Sequence, residues 1–177
     1  MVSVLVEPVD LTVPENPWYA VMVKPGQENF ASRALSNRGY EQLSPRCRVR
    51  RQWSDRIKQL EVALFPGYLF CKFDPNDRLP ILTSPGVFGI VSFGGVPHPI
   101  DDGEVARIKL LVASGKNAEP WPYLKAGERV LIGSGPLSGM EGILIQVKNQ
   151  LRLVVSVTLL QRSVAVEIDA ESVLPLR

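Results

Sequence analysis

Residues 18–28 read Trp-Tyr-Ala-Val-Met-Val-Lys-Pro-Gly-Gln-Glu. The first six are apolar without interruption and rich in β-prone side chains, the pattern of a strand buried in the middle of a sheet. Lys24-Pro25-Gly26 breaks that run. Phe30, Ala31, Ala34 and Leu35 then recur at helical spacing, which predicts a helix over 27–38 with one apolar face, and Gly39 after Arg38 supplies a C-terminal stop.

Working outward, residues 1–17 carry Pro8, Pro14 and Pro17 without sustained periodicity, and a flexible or loosely docked tail is expected. Downstream of the helix the period changes to two. Arg46, Arg48, Arg50 and Gln52 alternate with Cys47, Val49, Arg51 and Trp53, giving a strand with one strongly basic face. Ser54-Asp55-Arg56 reads as the tip of a hairpin and Ile57–Val62 as its return. Leu64-Phe-Pro-Gly-Tyr-Leu-Phe70 follows, with Pro66-Gly67 marking a turn or bulge at the mouth of a new strand. Asn76 or Asp77 is a cap for a short helix ending before Pro85, and Val87–Phe93 is another strand. Asp101-Asp-Gly-Glu104 opens a further helix in the manner of a capping box. Val105, Ile108, Leu111 and Val112 form its spacing, and Gly115 stops it.

Composition changes after that. Lys116–Leu124 holds two prolines and reads as a linker, expected over 116–126. Beyond it, Glu128–Ile132, Gly142–Lys148, Leu151–Val157 and Ser163–Ile168 are short β-type runs separated by glycines and by a turn at Lys148-Asn149-Gln150. Several short strands with regular turn signals imply a small all-β barrel of SH3-like size.

The 177 residues hold 20 basic and 18 acidic side chains, a net charge of +2. Up to Gly115 there are thirteen basic against twelve acidic residues, and beyond it seven against six. Nucleic acid is therefore not coated through bulk charge, and any contact with it must be local. Cys47 and Cys71 lack the spacing of a disulfide framework or a zinc site, and the single histidine, His98, lies between two prolines. There is no paired-carboxylate motif, nucleophile elbow or Walker loop, so an enzyme is not expected, nor a metal or other cofactor. No apolar run reaches the ~18 residues of a membrane span, and the start, Met1-Val-Ser-Val-Leu-Val, is no signal core. A soluble, cytoplasmic monomer is expected.

Over roughly residues 18–173 the chain resembles the NusG family of transcription elongation factors. The resemblance rests on WYAVMVKPGQE, on LFPGYLF at 64–70, on SPGVFGIVSFGG followed by Pro97 and Pro99, and on GERVLIGSGPLSGMEGILIQV, which looks like a KOW motif. It implies an α+β NGN domain over 18–115, an antiparallel sheet with flanking helices, and an SH3-like KOW barrel over 127–177. The RCRVRRQWSDRIK segment and the LFPGYLF form are most similar to the RfaH-like or UpxY-like antitermination branch, with housekeeping NusG as the alternative. An RNA-binding translation or ribosome-assembly factor with a KOW motif is the competing class.

The resemblance implies that the NGN domain grips the clamp helices of RNA polymerase through an apolar depression. The matching positions are Ala20, Met22, Phe65, Pro66, Tyr68 and Phe70. Met adapts to irregular apolar partners and Tyr offers an apolar body with a polar tip. The bland alternative is that these side chains simply fill the core. Non-template or upstream DNA is assigned to the basic hairpin through Arg46, Arg48, Arg50, Arg51, Trp53, Arg56 and Lys58, with Lys24 beside the first helix. Arginine meets phosphate bidentately and Trp53 can stack on a base. The alternative there is a solvated charged hairpin. The KOW domain is expected to recruit ribosomal protein S10, or Rho in housekeeping members, through Leu137, Met140, Leu159, Leu160 and Arg162. Leu160 and Gln161 stand where the family commonly carries Phe and Gly, which weakens the match to both partners and to Rho more.

Overall fold

The computed structural model describes residues 16–53, 56–123, 127–147 and 150–176, with the Arg51 side chain also left aside. Most of the expected tail, the hairpin tip at 54–55, residues 124–126 and the turn at 148–149 lie outside the described residues.

The apolar run is strand β1 (Trp18–Val23), followed by α1 (Glu28–Asn37), β2 (Gln42–Leu43), β3 (Arg46–Gln52), β4 (Ile57–Ala63) and β5 (Tyr68–Lys72). Then come α2 (Leu79–Leu82), β6 (Val87–Ile90), β7 (Ser92–Phe93), β8 (Val96–Pro97), β9 (Pro99–Ile100) and α3 (Asp102–Ala113). β1 sits inside an antiparallel sheet ordered β2-β5-β1-β6, with β9 also pairing β1. The strand expected at 87–93 breaks at Val91. Gly94 and Gly95, both at positive φ (57° and 77°), make the two-residue link that folds β8 back on β7.

Strand parity divides this sheet into two faces. Tyr19, Val21 and Val23 on β1, with Leu69 and Cys71 on β5, pack under Ala31 and Leu35 of α1 and Ile81 of α2. Trp18 and Ala20, registered against Lys72 and Phe70, point to the opposite face and join a second cluster with Phe65. Across that second face lies α3, buried through Val105, Ile108 and Leu111, and its Lys109 Nζ stands 4.5 Å over the Trp18 ring. β3 and β4 form a separate two-stranded hairpin whose Cys47, Val49 and Val62 pack against the same cluster.

The remaining strands are β10 (Ala118–Trp121), β11 (Glu128–Ile132), β12 (Glu141–Val147), β13 (Gln150–Val157), β14 (Arg162–Ile168) and β15 (Val173–Pro175). They form one antiparallel sheet, β10-β14-β13-β12-β11-β15, the all-β unit expected from the sequence. One difference is clear. Part of the expected linker is a strand: β10 hydrogen-bonds to β14 from Ala118 to Trp121. Pro120 is tolerated because this is an edge strand. Arg152 fixes it, with an ion pair to Glu119 and its guanidinium 5.4 Å over Trp121. No helix among the described residues is long and apolar enough to cross a membrane.

Candidate protein-binding face and its cover

Phe65-Pro66-Gly67-Tyr68 is a tight turn. The Tyr68 N–H donates to the Phe65 carbonyl at 3.0 Å, Pro66 holds the first central position and Gly67 the second at φ 85°. From the far side of the sheet, Glu28 at the start of α1 reaches this turn: its Oε1 accepts from the Gly67 N–H at 2.9 Å, fully buried. A Cβ on Gly67 would meet Pro25 and Val23 only at 3.6 Å. Gly67→Ala should therefore carry backbone strain without a clash, a loss of about 1–2 kcal/mol in denaturant titration.

The turn and the parity of β1 and β5 bring the six expected polymerase-contacting residues to one face. They are not equally accessible. Ala20, Phe65 and Phe70 are fully buried, Met22 and Tyr68 half-buried, and Pro66 exposed. The Phe65 and Phe70 rings meet edge to face at 5.4 Å. Ala20, Phe65 and Phe70 belong to the core of the docked molecule, because the cluster that holds them runs without a break into Val155, Val157 and Val164 of the barrel.

The barrel thus lies on this face, and it meets it with residues the sequence assigned to a different partner. Leu159 and Leu160 pack against the shared cluster, and the Arg162 guanidinium stands 5.3 Å over the Tyr68 ring. Between them, buried Glu104 of α3 holds the barrel loop. Thr158 Oγ1 donates to its Oε1 at 2.6 Å, and the Thr158 N–H lies 3.1 and 3.2 Å from its two oxygens. Gln161 ends the loop at φ 51° and donates its Nε2 hydrogen to the Thr158 carbonyl at 2.8 Å. Positive φ explains why glycine suits that position. Leu137 and Met140 are corrected by the structure: they are 1% and 2% exposed inside the barrel core and present nothing to a partner.

The basic hairpin is present, with its charge less free than the sequence suggested. Register places Glu61 opposite Arg48, and its carboxylate lies 3.6 Å from Arg48 and 3.9 Å from Arg46. Arg50 and Arg56 are exposed, and Lys58 sits 4.9 Å over the half-exposed Trp53 ring. Lys24 is exposed in the β1–α1 turn, apart from the hairpin. Burial raises the Cys47 thiol pKa and pushes Cys71 up to about 12, with Glu41 adding to the latter. Among the described residues no His, Cys, Asp or Glu cluster could hold a metal.

Residues 16–109 match the sequence model of a family described as "NusG: Transcription termination factor nusG". The chain belongs to the NusG family. Its curated NusG relatives include a Thermus thermophilus "Transcription termination/antitermination protein NusG", 29% identical over 88% of this chain and 96% of that one. A Buchnera aphidicola NusG is 34% identical over 66% of this chain and 67% of its own. A solved structure, "Domain interaction in Thermotoga maritima NusG", covers 92% of this chain and 98% of its own at 23% identity and a TM-score of 0.54, a likeness of fold. The chain is thus a NusG-type transcription termination/antitermination factor and not an enzyme. Glu104, Thr158, Glu28 and Glu61 were missed as contact residues from sequence. Only Glu104 carried a signal, the capping box, and it pointed elsewhere.

Proposed function

We propose that this NusG-family protein binds RNA polymerase at its clamp helices through Ala20, Met22, Phe65, Pro66, Tyr68 and Phe70, and that it does so after the barrel leaves that face. The observation that carries the proposal is that the barrel covers the expected polymerase face: the Arg162 guanidinium stands over the Tyr68 ring, and Leu159 and Leu160 pack against the cluster that holds Phe65 and Phe70. Two apolar surfaces that each expect an outside partner satisfy one another while none is bound. Release exposes both. The freed barrel then recruits ribosomal protein S10 through Leu159, Leu160 and Arg162, with Rho disfavoured by Gln161. The match over residues 16–109 favours this class over a KOW-type translation factor. The covered face and the basic hairpin favour a specialised, RfaH-like antiterminator acting in the cytoplasm. Co-sedimentation of the full chain with core polymerase tests it, and binding by the folded Glu104→Ala, Tyr68→Ala double variant at the strength of Glu104→Ala alone overturns it.

The hairpin serves as the contact to upstream or non-template DNA, with Arg48, Arg50, Arg51 and Arg56 on phosphate and Trp53 on a base. Changing Arg48, Arg50 and Arg51 together to glutamine should weaken binding to an upstream-fork duplex and lower the log–log salt slope by about 2–3, read by fluorescence anisotropy across a salt series. An unchanged slope would return the hairpin to the solvated-surface alternative.

A further inference from the structure

The small hairpin of β7 and β8 carries an uncovered apolar face. Phe93 is registered against Val96, so their side chains share one side, and they are 63% and 68% exposed. A cavity of about 410 Å³ opens beside Phe93. Its lining runs from Phe93 and His98 through Pro99 and Ile100 of β9 to Leu159 of the barrel loop. The polar groups of that lining are engaged among themselves. Asp101 accepts from the Glu104 N–H, Glu104 holds Thr158, and Gln161 donates to the Thr158 carbonyl. The His98 ring lies edge to face with Phe93 at 5.5 Å. What remains open to a ligand is chiefly aliphatic and aromatic surface, which selects an apolar occupant.

Two observations name that occupant. The first is where β1 begins. Trp18 is registered against Ile100 and Tyr19 against Pro99, and both partners belong to the lining. The chain that precedes Trp18 therefore arrives at the edge of the cavity. The second is the pattern that this stretch of chain carries. Residues 9–13 read Val-Asp-Leu-Thr-Val, an alternation that puts three aliphatic side chains on one side of an extended segment. Val13 and Val9 precede Trp18 by five and nine positions, about 17 and 30 Å of extended chain at ~3.3 Å per residue. A segment tethered so closely meets the cavity at an effective concentration on the order of millimolar, above that of a second copy in dilute solution.

We propose that residues 9–13 of the chain's own N-terminal segment seat in this cavity, with Val9, Leu11 and Val13 turned to Phe93 and Leu159. Phe93 belongs to the NGN domain and Leu159 to the barrel, so the seated segment is a strap across the two. It joins the Glu104–Thr158 contact in holding them together.

The experiment uses the full chain without polymerase, so its outcome is independent of the polymerase proposal. His98 is the only histidine of the sequence, exposed and in the lining, and reports on the cavity. Its rate of carbethoxylation by diethylpyrocarbonate, followed by mass spectrometry, should rise about tenfold in Leu11→Asp through loss of one buried leucine. Thr12→Asp puts the same charge on the other side of the segment and should leave the rate unchanged. Phe93→Ser, at an exposed position, gives the reciprocal readout: thermolysin should cut the Asp10–Leu11 bond about tenfold faster than in the wild type, since cleavage follows the unseated fraction. Equal His98 rates in Leu11→Asp and the wild type overturn the proposal, and so do equal effects of Leu11→Asp and Thr12→Asp. Protection of His98 that is lost on dilution also overturns it, by giving the cavity to a second copy.

Discussion

Replacing Glu104 with alanine should open the molecule. Its carboxylate receives both the hydroxyl and the backbone N–H of Thr158, from the loop that lays Leu159 and Leu160 on the NGN domain. Hydrogen bonds to a charged group contribute about 1.5–3 kcal/mol each, and two of them set the expected shift in favour of the open form at about 3–6 kcal/mol. That is roughly two to four orders of magnitude in the equilibrium. The apolar contacts and the Arg162–Tyr68 pair remain, the latter worth about 0.5–1 kcal/mol at an exposed site. Thr158→Val removes only the hydroxyl and should move the equilibrium part of the way. The measurement is energy transfer between a dye on α1 and one on β12, with melting followed separately, because losing an acid from the first turn of α3 also costs about 0.3–1 kcal/mol of helix stability.

Polymerase binding should follow the same scale. When only the open form is competent, the apparent dissociation constant is the intrinsic one divided by the open fraction. Glu104→Ala should then tighten binding by the factor by which it raises that fraction, up to saturation. A variant that opens by energy transfer yet binds polymerase no better would show that the covered face is not the polymerase site.

The legible and illegible parts of the chain differ in a physical way. WYAVMV announced a central strand, and LFPGY announced a turn, because each pattern is satisfied by neighbours close in sequence or by the parity of one strand. Parity within β5 sets Tyr68 and Phe70 on one side, and the register of β1 on β5 adds Ala20 to it. What covers that side was not legible. The barrel's leucines and the NGN aromatics each look complete as a surface awaiting a partner, and nothing in either pattern says that the partner is the other half of the same chain. Glu104 shows why. Asp101-x-x-Glu104 is a capping box on paper, and Asp101 does accept from the Glu104 N–H at 3.1 Å. The Glu104 carboxylate, however, turns away to Thr158, fifty-four positions on. β10 was hidden for a similar reason. Pro120 and Pro122 argue for a linker, and only an available edge of β14 makes a strand of it. Glu61 escaped notice as an opposing charge because hairpin register, not sequence distance, sets it against Arg48.

The second large effect separates two residues that the sequence treated alike. Phe65 has no exposed surface and packs edge-on against Phe70. Phe65→Ala leaves a cavity and should cost about 3–5 kcal/mol of folding stability, lowering the melting temperature by about 10 °C in a chain of this size. Lost polymerase binding in that variant would report damage to the fold as readily as loss of a contact. Tyr68 is different. It is half-buried, and its visible partner is Arg162 of the barrel. Tyr68→Ala should cost the fold much less, and it removes a contact that helps keep the molecule closed. If Tyr68 served only that closure, its loss would free the face and tighten polymerase binding. If Tyr68 is also an anchor on the polymerase, its loss weakens binding by about 2 kcal/mol or more, some 30-fold. The two roles predict opposite signs. The comparison is cleanest in the opened background, where closure no longer contributes: Glu104→Ala with Tyr68→Ala against Glu104→Ala alone, titrated with core polymerase. The expected result is the weaker binder in the double variant, since an aromatic anchor presented by a Pro-Gly turn and pinned from behind by Glu28 is rigid before it meets its partner and loses little freedom when it does.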